Sequence, residues 1–506
     1  MNQLKAGAAL NYVAIALNII VGLVYTPYML RMLGQSEFGL YSLAAGIIAY
    51  LTVLDLGFGN AIVRYTAKFR AEGKVREQEE MFGMFLLLYV GIGVVAVVCG
   101  GILAGNVDVL FSAKMNTAEV ERMRIMLWLM TFNLAFTFPM SIWGSIMSAY
   151  ERFVFQRLVS IVRSILNPLV MVLLLTIGYK AVAMVVVTTL FNVATLLVNW
   201  GYCKHRLKIK VRFGRFQWGF LKEVSIYSFW IFLNAIMDRI YWSTGQFLLG
   251  IYRGAAAIAV YAVAVQLVQM FMMFSTAISS VFLPRVTAMV SQGKSEREIS
   301  DLFIRTGRIQ YIVMAFILSA FVVFGRPFLR LWAGEEYGDA YILALLFFFS
   351  LLAPLVQNLG ITILQARNQM KFRSLIYMVI ALTSLLLSVI GAKLWGALGC
   401  AAATSFAVLA GQGIVMNIYY KHRQAIAIGR FWYEIFKMSV VPVTLSTVSL
   451  LVMSLSGLDF GRPIVFVGSA AGYTLVYGLL FWHFSMNASE HELFIVPFKR
   501  LKRCLT

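Results

Sequence analysis

The chain is expected to be an all-α integral membrane protein. It should hold about 14 transmembrane helices, in two pseudo-symmetric six-helix lobes plus two C-terminal helices. Three observations predict this. Of its 506 residues, 61% are hydrophobic and only 13% are charged, where a soluble chain carries about 25% charged residues. The apolar residues fall in long runs, and about 20 such residues are needed to cross roughly 30 Å of hydrocarbon as a helix. The chain also repeats itself: Ala149, Phe155 and Lys204-His205-Arg206 recur 217 positions later as Ala366, Phe372 and Lys421-His422-Arg423. Duplication of a helical membrane unit is a common way to build a cavity between two halves, so the pattern points to transport across a bilayer.

Fourteen apolar segments can be placed, at about 8–30, 39–63, 82–104, 125–148, 158–178, 181–202, 224–250, 256–283, 309–325, 340–364, 374–392, 395–419, 433–455 and 463–484. The loops between them are short. The first segment is too long for a signal-peptide core and precedes no small-residue cleavage site, so it is expected to be retained. With an even number of helices both termini lie on one face. That face holds 31 of the 43 Lys and Arg, the opposite face holds 10, and Arg163 and Arg239 lie inside helices. This asymmetry is the positive-inside rule, so both termini are expected in the cytoplasm. It also accounts for the net charge of +21 without a nucleic-acid partner. Cys99 and Cys400 fall in apolar helices, Cys203 and Cys504 on the cytoplasmic side, and His205, His422, His483 and His491 have no ligand spacing. No disulfide, metal or cofactor is expected.

The duplication pairs helices one to six with seven to twelve. It divides the chain into an N-terminal lobe (1–202), a cytoplasmic basic connector (203–223), a C-terminal lobe (224–420), and a last part with helices 13 and 14 and a cytoplasmic tail (421–506). Because six is even, both copies enter the bilayer in the same sense, and the expected relation is a two-fold along the membrane normal. The connector is aromatic as well as basic, with Phe213, Phe216, Trp218 and Phe220, and the tail from Phe494 to Arg503 resembles it. Both suit the cytoplasmic leaflet as amphipathic segments attracted to anionic lipid, either as simple anchors or as docking segments for a lipid substrate.

An ionisable group near the bilayer centre costs at least about 2.5–3.5 kcal/mol on insertion scales, so each one has a reason. Asp238 and Arg239 lie mid-way along the seventh segment. They read either as a site for a coupling ion or an anionic group, or as an ion-paired lock between helices. Asp55, in Leu54-Asp55-Leu56-Gly57-Phe58-Gly59-Asn60, either holds a cation or proton or caps a broken helix. Arg163 either snorkels to headgroups or faces a phosphate. Arg64 and Arg285 occupy equivalent helix ends in the two copies. Polar stripes at helical spacing run along several segments and suggest a wet cavity. They include Asn18 and Tyr25, Asn234 with Asp238 and Tyr241, Gln266 and Gln269, Asn358, and the hydroxyls from Thr137 to Ser148. The repeat offsets carry Arg163 to Ile380, Asp55 to Ser275 or Thr276, and Asp238 back to Asn18. The deep charges therefore break the duplication.

No P-loop, GxSxG or histidine–carboxylate cluster is present, so no enzyme is expected. The run Glu37-Phe38-Gly39-Leu40-Tyr41-Ser42 and the stretch Leu54 to Tyr65 resemble the polysaccharide transporter family. Those proteins are Wzx-type flippases of the multidrug/oligosaccharidyl-lipid/polysaccharide exporter superfamily. The resemblance covers nearly the whole chain. It implies a polyprenyl-pyrophosphate-linked repeat unit flipped from the cytoplasmic to the outer leaflet of a bacterial inner membrane by alternating access. It implies H+, Na+ or membrane-potential coupling and, as a partner, the polysaccharide polymerase machinery. On that reading Arg239, Arg163, Arg64 and Arg285 face the pyrophosphate or acidic sugars, aided by Asn18, Tyr25, Gln266, Gln269 and Asn358. Asp238, Asp55 and Asn234 are the coupling-ion candidates. A multidrug exporter of the same superfamily is the nearest alternative, and an integral polysaccharide polymerase or ligase a more distant one.

Overall fold

A hydrocarbon layer offers no hydrogen-bond partner to a backbone amide, so apolar runs of this length persist there only as helices. The computed structural model of the chain, which describes residues 3–214, 218–280, 282–367 and 369–492, follows that constraint: the described residues form helices and short turns, without a strand. Each apolar segment falls on a helix or on a helix pair with a short break. Ten helices among the described residues are long and apolar enough to cross a membrane, or eleven if one bent pair counts as a span. The termini, the tail from Phe494 to Arg503, Cys504, and Arg215 and Phe216 of the connector lie outside the described residues.

One compact unit comprises Met1–Ala262 with Ala381–Ala403. Its helices are α1 (Gln3–Leu51), α2 (Phe58–Ala71), α3 (Val75–Gly105), α4 (Val107–Phe111), α5 (Thr117–Ala149), α6 (Phe153–Thr176), α7 (Ala181–His205), α8 (Trp218–Tyr252) and the start of α9 (Ala255–Ser280). At about 1.5 Å per residue, the 49 residues of α1 exceed one membrane crossing. The helix kinks at Gly34, whose φ of 74° and ψ of 171° are non-helical. Glu37, 3% exposed, secures the chain beyond the kink. Its carboxylate pairs with Arg122 of α5 and accepts from the Ala181 amide at the start of α7, at 3.3 Å. That amide is one of the donors a helix N-terminus leaves unsatisfied. α5 packs on α1, α2, α3 and α7. Close approach to α3 needs Gly100, where a Cβ would overlap the Thr131 side chain. Small residues at such crossings are what membrane helices use to pack. The connector is held to α3: Arg212 donates its backbone amide to the Glu79 carbonyl at 3.1 Å, and its guanidinium meets the Glu79 carboxylate at 2.8 Å. Arg253 donates to the carbonyls of Ala392, Lys393 and Leu394 at 2.9–3.3 Å, capping the helical run that ends before the non-helical Gly396.

The other unit comprises Val263–Ile380 with Thr404–Thr506. It contains the rest of α9, then α10 (Leu283–Ser291), α11 (Glu296–Trp332), α12 (Ala340–Val356), α13 (Leu359–Ala366), the two ends of α14 (Met370–Val408), α15 (Met416–Arg423), α16 (Ile428–Leu455) and α17 (Pro463–Phe484). A π-helical turn, Leu409–Val415, joins α14 to α15. α12 and α13 bend by 42°, three residues after Pro354, which removes an intrahelical hydrogen bond. α11 begins with a capping box, Ser295 with Glu298, and packs on α12, α16 and α17. Arg308 on α11 holds the last two helices. It grips Glu490 with two hydrogen bonds (2.7 and 2.9 Å), Glu434 with a third (2.6 Å) and the Ser485 carbonyl with a fourth (3.0 Å). Arg308 is 5% exposed and Glu490 is fully buried.

The duplication is visible in the element boundaries. α5 ends at Ala149 and α13 at Ala366; α6 begins at Phe153 and α14 at Met370. Both differences are the sequence offset of 217. At that offset Phe155 stacks on Tyr202 with ring centroids 4.0 Å apart, and Phe372 on Tyr419 at 4.1 Å.

Removing one partner of a buried ion pair strands the other, at a cost of about 3–5 kcal/mol. Glu490→Ala is therefore expected to lower the thermal unfolding midpoint of the detergent-purified protein sharply. Substitution at exposed Arg462 should leave that midpoint in place; equal midpoints for both variants would contradict the role given to Arg308.

Candidate functional site

The expected site residues separate into groups that their helices explain. Asp55 ends a 3₁₀ turn, Thr52–Asp55, between α1 and α2. The turn closes through Leu56 at φ 53° and Gly57 at φ 74°. A left-handed leucine costs about 1–2 kcal/mol, so the break is held from outside. The Asp55 carboxylate accepts from the Tyr89 hydroxyl of α3 at 2.7 Å, and the Gly57 amide also donates to it. Tyr89 is fully buried and lies parallel to the Phe138 ring. The broken helix expected as one alternative at Asp55 is present, and Asp55 joins the break to α3.

The second copy repeats that contact without its charge. Ser275 stands 220 positions after Asp55, and Gln310 stands 221 after Tyr89. Gln310 donates to the Ser275 carbonyl at 3.3 Å. Asn358 adds hydrogen bonds to Ser279 (3.0 Å) and Ser275 (3.3 Å). Asn358, expected as a substrate contact, thus sits in a cluster joining α9, α11 and the α12–α13 bend.

Arg163 of α6 donates to the Asn192 side-chain oxygen of α7 at 3.0 Å. Asn192 in turn donates to Asn133 (2.8 Å) and Thr137 (2.7 Å) of α5. The cation is therefore placed inside the helix layer by three neutral side chains. Asn192 and Asn133 were not singled out from the sequence, although a lone amide in an apolar helix is itself a signal. Tyr25 donates to the Met171 sulfur at 3.1 Å. Asn18 is exposed on α1.

On α8, Asn234, Asp238 and Tyr241 follow one another at helical spacing. Asn234 is half-buried, Asp238 exposed and Tyr241 buried. Arg239 is half-buried and points about 100° away from its neighbour. Tyr50 and Thr244 bind each other at 2.6 Å and join α1 to α8; Tyr65 donates to Glu223 at 2.9 Å and joins α2 to α8. Arg64 lies exposed within α2, which continues to Ala71, so the chain stays helical past the end expected there. Arg285 is exposed on the short α10, Gln269 is exposed and Gln266 half-buried on α9. The residues that carried the family resemblance have architectural work: Glu37 makes the pairs described above, and a Cβ at Gly39 would overlap the Ala255 carbonyl.

Residues 4–290 match the polysaccharide biosynthesis protein family, which is more than half of the chain. The chain belongs to that family. It is 20% identical over 418 residues to a Shigella flexneri protein described as "Putative O-antigen transporter", covering 79% of this chain and 93% of that one. Among solved structures, it superposes on the lipid II flippase MurJ in an inward closed conformation. The TM-score is 0.70 at 14% identity, covering 94% of this chain and 98% of that one. The MATE multidrug transporter DinF-BH gives a TM-score of 0.58 at 16% identity over 83% of this chain and 96% of that one. The fold of this family member is the one these membrane transporters share.

Replacing Asn192 with Leu leaves Arg163 and Asn133 without their partner, at a cost of about 1–3 kcal/mol. Asn192→Leu is expected to lower the unfolding midpoint more than Arg163→Gln, which keeps a donor. The reverse order in a thermal melt would show that Asn192 is not what positions Arg163.

Proposed function

We propose that this protein is a flippase of cell-surface polysaccharide biosynthesis. It carries polyprenyl-pyrophosphate-linked oligosaccharide repeat units from the cytoplasmic to the outer leaflet of the bacterial inner membrane by alternating access. The observation that carries the reading is the family match on a scaffold that keeps Arg163 and Arg239 inside apolar helices. A cation in such a place costs free energy, and a diphosphate or acidic sugar is the ligand that repays it. Polymerases and ligases are disfavoured because one matched relative is described as a transporter and the fold is that of a flippase and of multidrug transporters.

On this reading the chain makes fourteen crossings. The long helices broken at Gly34 and Gly396 each supply two, and the α12–α13 pair and α8 one apiece. Both termini are cytoplasmic, as the Lys and Arg distribution requires. The N-terminal and C-terminal lobes, residues 1–202 and 224–420, rock about a substrate bound by Arg239 and Arg163, with Arg64, Arg285, Asn18, Tyr25, Gln266, Gln269 and Asn358 around it. Asp238, Asp55 and Asn234 take the coupling ion, H+ or Na+. The polymerase machinery receives the product.

The test is made in the host that encodes the protein, with its own gene replaced by variants. Arg239→Gln and Asp238→Asn are expected to insert normally yet cut surface polysaccharide at least tenfold, while lipid-linked repeat units accumulate inside. Undiminished export in both variants would contradict the assignment. Loss of drug resistance with intact polysaccharide would favour the multidrug alternative.

A further inference from the structure

The two copies of the duplicated scaffold differ in how two of their helices are broken. In the first copy α5 and α7 run unbroken. In the second, the corresponding stretches are interrupted twice, by the 42° bend between α12 and α13 and by the π-turn Leu409–Val415. π-turns that interrupt helices frequently stand at functional sites. Here both interruptions line the same small cleft. Gln357 stands at the bend, Gln412 in the π-turn, and Arg373, Tyr377, Ile380 and Tyr420 complete the wall. None of the residues expected from the sequence to bind substrate or ion lines it.

Two groups in this cleft lack the partners their chemistry calls for. The Arg373 guanidinium lies over the Tyr377 ring, 5.6 Å from its centroid. Among the described residues no carboxylate lies within ion-pair distance of it. The Gln357 side chain is 2% exposed, and its orientation is forced. Trp432 Nε1 can only donate, and it donates to Asn417 Oδ1 at 2.9 Å. The Gln357 atom 2.5 Å from that same oxygen must therefore be its amide nitrogen. That leaves Gln357 Oε1 as a buried acceptor with no donor, an arrangement that costs stability unless a ligand donates to it. In the first copy the position equivalent to Arg373 is Gln156, which is satisfied internally. It donates to the Gly144 carbonyl at 2.8 Å and accepts from Ser148 at 3.1 Å.

We infer that this cleft is a binding site for a phosphate ester that carries a neighbouring hydroxyl: Arg373 takes the phosphate, and Gln357 Oε1 accepts from the hydroxyl. An anion alone would leave the amide oxygen unpaired, and a neutral sugar would leave the cation unpaired. Two sources offer the shared chemistry, the glycerol-phosphate headgroup of phosphatidylglycerol and the glycosyl diphosphate of a lipid-linked sugar. The second source rests on the flippase reading; the first does not.

Native mass spectrometry of the full-length protein in detergent, titrated with phosphatidylglycerol or phosphatidylcholine, tests the site. A polyprenyl diphosphate-linked sugar is then added as competitor. Phosphatidylglycerol or the glycolipid is expected to bind at least tenfold more weakly to Arg373→Gln, while Lys371→Gln, at the exposed cation two residues away, changes binding less than twofold. Gln412→Leu, which removes a polar wall without touching the cation, should weaken binding several-fold and keeps the test decisive if Arg373→Gln does not fold. Binding of phosphatidylglycerol alone assigns the headgroup, and displacement by the glycolipid assigns the diphosphate. Equal binding of phosphatidylcholine, equal loss with Lys371→Gln, or no binding of either phosphate ester would overturn the inference.

Discussion

In hydrocarbon every backbone amide and carbonyl must be satisfied by the protein itself, because each one left bare costs several kcal/mol. The rest of this structure depends on that constraint. Uninterrupted helix meets it cheaply, and most of the chain is helix. At the breaks between long helices, a polar side chain from elsewhere stands at the gap. Glu37 reaches the first amide of α7 just beyond the Gly34 kink. Asp55 and Tyr89 close the turn between α1 and α2. Arg253 covers three carbonyls ahead of Gly396. Ser275 accepts from Asn358 and donates to the Leu355 carbonyl at the α12–α13 bend. Several charged residues of this fold therefore seal a break, and others, such as Arg308 with Glu434 and Glu490, tie helices together.

That distinction explains what was legible in the sequence. Hydropathy located the helices because a crossing helix needs an apolar run of fixed length: among the described residues the apolar runs fall on helices or on helix pairs with a short break, and ten or eleven of these are long and apolar enough to cross. The offset of 217 also relates the helix boundaries of the two copies, Phe153 to Met370, because a duplicated sequence keeps its local capping signals, although both helices begin a turn or more before the apolar runs expected from about 158 and 374. The stacked pairs Phe155–Tyr202 and Phe372–Tyr419 follow for the same reason. Partnerships were not legible. Arg308 reads as one more cytoplasmic cation until the fold brings Glu434 and Glu490 to it across more than a hundred residues. Asn192 gains its meaning only from Arg163, Asn133 and Thr137 on two other helices. The π-turn carries no compositional signature, so the cleft beside it was invisible as well.

The duplication and its exceptions divide the labour of the molecule. The Asp55–Tyr89 contact recurs as Ser275–Gln310, so the joint is copied while the charge is not. A joint needed in both copies is scaffold; a carboxylate kept in one copy has room for a second duty. The same comparison separates Gln156, satisfied by its own helices, from Arg373, which is not.

The central claim, that the scaffold moves a lipid-linked glycan between leaflets, is tested most directly in liposomes. Purified protein is reconstituted with a polyprenyl-pyrophosphate-linked oligosaccharide, and the glycan exposed on the outer surface is followed with a membrane-impermeant glycan-modifying reagent. The account predicts protein-dependent exposure of the inner-leaflet pool, lost when Arg239 is replaced by Gln. An inner-leaflet pool that stays protected at the rate of empty liposomes, while the same vesicles extrude a cationic drug, would contradict it.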